Sequence, residues 1–123
     1  MKEDFSFKKE LKLEDRRKES DRILNQYTNR MPIICECAPN NNLPPIQKTK
    51  YLVPGDMTVA QFQFLIRRHI DLYEKETLFL IVQKGNHDIA IAGDKTMREI
   101  YNNFRDREDN FLYIHYTSEE TWG

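Results

Sequence analysis

Apolar positions are sparse at the start of the chain and dense from residue 31 onward. Residues 1–27 contain neither Gly nor Pro and are largely charged; in LEDRRKESDRILNQY the apolar marks are Leu13, Ile23, Leu24 and Tyr27. So thin a stripe predicts a surface helix packed by one narrow face, preceded by a shorter turn of helix over Phe5–Leu11. MPIICEC, residues 31–37, predicts a buried strand, and the loop 38–45 that follows holds three Pro and three Asn. KTKYLV, residues 48–53, alternates: Lys48, Lys50 and Leu52 share one face, Thr49, Tyr51 and Val53 the other. The two runs predict an antiparallel hairpin with a long loop, closed off by the turn PGDM.

TVAQFQFLIRRHI, residues 58–70, carries the clearest helical period, with Val59, Phe62, Leu65, Ile66 and Ile70 on one stripe. Thr58 and Gln61 have the spacing of a capping box, in which hydroxyl and amide each satisfy a free backbone donor of the first turn. LFLIVQ, 78–83, predicts a well-covered strand. Residues 84–95 hold two Gly and predict a loop with at most a brief extended piece at IAIA. TMREIYNNF repeats the cap signature with Thr96 and Glu99, RDREDN is a charged loop, and FLYIHY, 111–116, predicts an aromatic-rich strand. Two helices followed by β, β, α, β, short α, β predict an α+β fold. It is a β-grasp in which one long helix covers a four-stranded mixed sheet and the two additional N-terminal helices are available for the other face.

A length of 123 residues suits one domain able to bury a core without disulfides or metals. Nineteen Lys and Arg against 20 Asp and Glu leave a net charge of -1, which gives no overall electrostatic case for nucleic acid. Cys35 and Cys37, two apart on a strand, are poorly placed to pair with each other and suggest a reducing compartment. There is no apolar run near 18 residues and no secretory signal at the start, so a cytoplasmic protein is expected.

His69, His87 and His115 have no acid and nucleophile at a recognisable spacing, the two cysteines lack zinc-site spacing, and no glycine-rich phosphate loop occurs. No catalytic residue, metal or cofactor is therefore expected. KTKYLVP is more informative. Lysines beside a Pro/Asn loop suit the edge of a sheet, where they discourage unwanted pairing. The same edge can accept an extended peptide as an added strand. Leu52 with the stems of Lys48 and Lys50 would shape one hollow, and Tyr51, Val53, Met57, Phe62 and Leu65 another; the residues alone leave equally open that these are simply core and rim.

DRRKESDRI, NRMPIICE, QKTKYLVPGDMTVAQFQFLIRR, FLYIHY and EETWG occur in that order. In this the chain, from about Leu13 to Gly123, resembles the autophagy-related ubiquitin-like modifiers, the GABARAP and light-chain-three family. The resemblance implies a ubiquitin-like β-grasp over 28–116, an N-terminal helical extension over 1–27 and a conjugation tail over 117–123. It implies that the Gly123 carboxylate is activated by an E1-like enzyme, passed through an E2-like enzyme and joined to phosphatidylethanolamine, placing the protein on the autophagosome membrane when lipidated. Trp122, where Phe or Tyr is usual, is the implied recognition residue for a processing and delipidating cysteine protease. Receptors carrying an aromatic-x-x-aliphatic motif are the implied partners of a monomer. Carried over by position, the aromatic pocket comprises Glu19, Ile23, Pro32, Ile34, Lys48, Lys50, Leu52 and Phe111. The aliphatic pocket comprises Tyr51, Val53, Pro54, Met57, Phe62, Leu65 and Ile66, and Arg30 and Arg67 take acidic flanking residues. The alternative is a β-grasp peptide-binding adaptor that is never conjugated.

Overall fold

A computed structural model describes residues 5–39, 41–72 and 76–118. The elements run α1 (Ser6–Glu10), α2 (Leu13–Gln26), β1 (Arg30–Cys37), β2 (Lys50–Pro54), α3 (Val59–His69), β3 (Phe79–Lys84), β4 (His87–Ala90), α4 (Met97–Phe104) and β5 (Leu112–Thr117). Within the described residues they form one sheet in the order β2-β1-β5-β3-β4, with β1 and β5 parallel and the other pairs antiparallel.

The sheet thus has five strands, not the expected four. The extra one, β4, folds back on β3 through Gly85 and Asn86, with Lys84 opposite His87. Gly85 has φ +61°, a left-handed conformation that glycine adopts at little cost and that two-residue hairpin turns require.

α3 begins as its sequence predicts. The Gln61 N–H donates to Thr58 Oγ1 at 3.1 Å and the Thr58 N–H to Gln61 Oε1 at 2.9 Å. α4 has the same box at Thr96 and Glu99, and a bridge between Thr58 and Thr96 ties the two helix starts together. Each cap is worth about 1 kcal/mol. α3 then buries Val59, Phe62 and Ile66 against Ile33, Cys35, Tyr51, Val53, Leu112 and Ile114 of the sheet, the main core of the domain.

The other sheet face carries a second, smaller core. Phe5, Ile23, Ile34, Phe111 and Tyr113 are buried together, with Phe7 and Leu52 packed against them. This is where the N-terminal helices sit. α2 docks by its narrow face, as expected, but that face is partly ionic: Arg16 and Ser20 are buried beside Ile23. Arg16 Nε lies 2.9 Å from Asp109 Oδ2, which also accepts from the Tyr113 hydroxyl, while Ser20 donates to the Asp109 carbonyl. The short α1 is held by Glu36, whose carboxylate accepts from the N–H groups of Ser6 at 2.8 Å and Phe7 at 3.1 Å.

Candidate functional site

β2 is an edge strand. Its Tyr51 lies opposite Ile33 and Lys50 opposite Ile34. Just before it, the Cys35 N–H donates to the Thr49 carbonyl at 2.8 Å. In an antiparallel pair, alternate residues turn their backbone groups toward the partner. Thr49, Tyr51 and Val53 therefore face β1, and Lys50 and Leu52 present their N–H and C=O to the outside. One of these outward groups is already engaged: Arg30 Nη1 donates to the Leu52 carbonyl at 2.9 Å.

On the side of α2, the residues assigned to an aromatic pocket divide into floor and rim. Ile23, Ile34 and Phe111 are fully buried and Pro32 is buried, so they form a packed floor. Leu52 is half-buried above it, and Lys50 and Glu19 stand at its mouth. Lys50 Nζ lies 2.9 Å from Glu19 Oε1 and so bridges β2 to α2. Arg22, one helical turn along, reaches the same oxygen at 2.7 Å. The hydrogen bonds from Arg22 and then Lys50 hold the Glu19 carboxyl down at about 2, from an ordinary 4.5. Lys48, assigned to the same pocket, instead places its ammonium 5.0 Å from the centre of the Tyr51 ring, which belongs to the core under α3.

On the side of α3, Tyr51, Val53, Phe62 and Ile66 are buried, while Pro54, Met57 and Leu65 are half-buried and give the apolar surface its access. Tyr51 meets Phe62 edge-on at 5.5 Å and His69 edge-on at 5.7 Å. Burial pushes its phenol up, and its hydroxyl has no hydrogen-bond partner among the described residues. Arg67 lies in the last turn of α3 with Arg68 and His69. The residues assigned to the two pockets therefore lie on the two sides of one strand edge. Trp122 and Gly123 lie outside the described residues.

Three contributors were missing from the sequence reading. Arg22 steadies Glu19, and its i, i+3 spacing was a usable signal. His69 borders Tyr51, a contact no local pattern reveals. Phe64 stands 57% exposed on α3 and is a contributor only by its place on the helix beside Leu65. As for catalysis, Cys35 is buried and burial raises its thiol; Cys37 is shifted upward for the same reason, so neither is a ready thiolate. Among the described residues no three His, Cys, Asp or Glu side chains are grouped to hold a metal ion, and no helix is long and apolar enough to cross a membrane.

A family model described as autophagy protein Atg8, ubiquitin-like, matches residues 15–123. The autophagy-related protein 8 of Kluyveromyces lactis is 42% identical over 118 residues, covering 96% of this chain and 91% of that protein. That of Saccharomyces cerevisiae is 41% identical, covering 96% of this chain and 97% of that protein. The Trypanosoma brucei ATG8 crystal structure superposes with a TM-score of 0.85 at 30% identity, covering 98% of this chain and 99% of the other. Plasmodium falciparum Atg8, solved in complex with a P. falciparum Atg3 peptide, gives 0.82 at 32% identity, covering 94% and 98%.

Proposed function

This chain belongs to the ubiquitin-like Atg8 family of autophagy proteins, and from that footing we propose that it is a modifier conjugated through Gly123 to phosphatidylethanolamine. ATP activates the Gly123 carboxylate as an acyl adenylate, releasing pyrophosphate. A cysteine thiolate of an E1-like enzyme displaces AMP to form a thioester, and the acyl group passes to a cysteine of an E2-like enzyme. The phosphatidylethanolamine amine then attacks the carbonyl, forming the amide and releasing the thiol. Glycine suits this relay because it has no Cβ to obstruct a narrow enzyme channel. Trp122 supplies the aromatic that a processing and delipidating cysteine protease grips. The protein is substrate and adaptor, cytoplasmic when free and on the autophagosome membrane when lipidated. The E2-like partner is supported by the Atg3 peptide bound to the Plasmodium relative.

Once on the membrane, the protein recruits receptors by strand addition. The observation that carries this is the exposed edge of β2, with the outward backbone groups of Lys50 and Leu52 between the apolar residues of the two sheet faces. Backbone pairing gives affinity, and side-chain pockets on either side give specificity. The aromatic of an aromatic-x-x-aliphatic segment fills the hollow over Ile23, Ile34, Pro32 and Phe111, rimmed by Glu19, Lys50 and Leu52. Its aliphatic residue fills the one made by Tyr51, Val53, Pro54, Met57, Phe62, Leu65 and Ile66. Arg30 and Arg67 take acidic flanking residues.

The test combines the protein with E1-like and E2-like enzymes, ATP and phosphatidylethanolamine liposomes. Electrophoresis should show a shifted, liposome-bound product that disappears when Gly123 is deleted. A shift that survives the deletion rejects conjugation at Gly123. No shift in either protein, with motif-peptide binding intact, favours the unconjugated adaptor.

A further inference from the structure

The edge of β2 does not end at the aromatic hollow. Upstream of Lys50 the chain keeps its pairing with β1 through Thr49. Beyond it, an open hollow of about 550 Å³ lies between α1 and the segment leading into β2, with Phe7, Cys37, Pro45 and Ile46 among its walls.

The direction of an added strand follows from the order of the pockets. Residues assigned to the aromatic pocket cluster at Lys48–Leu52 and those of the aliphatic pocket at Tyr51–Met57. A segment with its aromatic first therefore runs parallel to β2. The residues before its aromatic then pass Thr49, Gln47 and Ile46 toward α1. In a strand, residues two apart point to the same face and are separated by about 7 Å. On the sheet face covered by the N-terminal helices, Ile34 floors the aromatic hollow, and Glu36, two residues further along β1, borders the second one. The residue two before the aromatic is thereby aimed at the hollow beside α1.

The charge of that hollow indicates what it takes. Glu36 is occupied, since its two oxygens accept from the Ser6 and Phe7 N–H groups. Lys9 and Glu10, both exposed on α1, oppose each other in sign. What remains is uncharged: the Phe7 ring, the prolines and the Ile46 side chain, which also packs on the main core, with Ser6, Gln47 and Thr49 as polar neighbours. We infer that the hollow between Phe7 and Ile46 is a third subsite, which accepts an uncharged aliphatic side chain two residues before the aromatic of a docked segment. This rests on the strand-addition reading of β2 and extends it. It also gives α1 a direct part in selecting partners.

Calorimetric titration of the full chain with three peptides tests it. They share a Trp-x-x-Leu core and differ only in Ala, Leu or Asp two residues before the Trp. The Leu peptide should bind about fivefold tighter than the Ala peptide, as partial burial of a leucine implies. The Asp peptide should gain nothing. Ile46→Ser should erase the Leu advantage and leave the Ala peptide unchanged, with thermal melting confirming the fold. Equal affinities of the Leu and Ala peptides, a gain with Asp instead, or a Leu gain that survives in folded Ile46→Ser overturns the subsite while strand addition stands. Failure of all three peptides to bind overturns both. Should Ile46→Ser not fold, the comparison of peptides on the natural chain decides the matter alone.

Discussion

Lys50 Nζ lies 2.9 Å from Glu19 Oε1, so the edge strand is tied to α2 by an ion pair standing over the buried Ile23, Ile34 and Phe111. Glu19 takes a second cation, Arg22 at 2.7 Å, and its carboxyl is held at about 2 against an ordinary 4.5. A carboxyl whose folded pKa is depressed contributes stability above its unfolded pKa and loses it as pH falls through the folded one. The contribution of this bridge should be intact above pH 4.5 and fade toward pH 2. A carboxyl-carbon NMR titration of Glu19 should give a midpoint near the lower value, and one near 4.5 would show that the bridge does not form in solution.

Leu52 is the half-buried residue that joins the strand edge to the second core. Leu52→Ala should weaken a Trp-x-x-Leu peptide by about 2 kcal/mol, the scale of truncating a buried leucine at a contact. Titration calorimetry reads this directly. An unchanged affinity would place the aromatic elsewhere.

Arg30 occupies the Leu52 carbonyl that an added strand needs for pairing. A docked segment must displace that guanidinium or go without the bond. For a peptide with no acidic residues, Arg30→Ala should therefore tighten binding by about threefold, within the net worth of one hydrogen bond. For a peptide with acidic flanks, the lost ion pair should offset the gain. Weaker binding of both peptides to Arg30→Ala would mean that the arginine contributes directly whatever the flanks.

These relationships were unequally visible in the sequence. The starts of α3 and α4 were plain, because Thr58 with Gln61 and Thr96 with Glu99 are local signals. The alternation of β2 likewise put Lys50 and Leu52 on one face and Tyr51 and Val53 on the other. Which pocket residues form floor and which form rim was not visible, because it depends on how α2 docks. Arg16 shows why: it sits in a run of charges that looks fully solvated, and its partner Asp109 is 93 positions away. β4 was missed for another reason. Two glycines suggested loop, whereas Gly85–Asn86 between two extended pieces is itself a hairpin signal.

The Arg16–Asp109 pair anchors the N-terminal helices to the body of the domain. Burial, and then the hydrogen bond to Asp109, raises the Tyr113 phenol, so it remains a donor to the carboxylate. Arg16→Met keeps the bulk but leaves the buried carboxylate without its cation, which should cost about 3 kcal/mol. Urea denaturation followed by far-UV circular dichroism measures this. A loss below about 1 kcal/mol, the range of an exposed pair, would mean that water reaches Asp109.

Gly85 provides a separate test of the β3–β4 hairpin. Its φ of +61° lies in the left-handed region, and a Cβ added there would meet nothing within 4 Å. Any penalty for Gly85→Ala is then backbone strain and not a clash, about 1 kcal/mol. Gly85→Asn should cost about as much, because Gly85 alone of the two turn residues has positive φ, the arrangement that calls for glycine at the first position. The effect should be local, with faster amide exchange across Val82–Ile89 and little change at β1, β2 or α3. Equal stability of the glycine, alanine and asparagine proteins would show that the turn does not hold its left-handed form in solution.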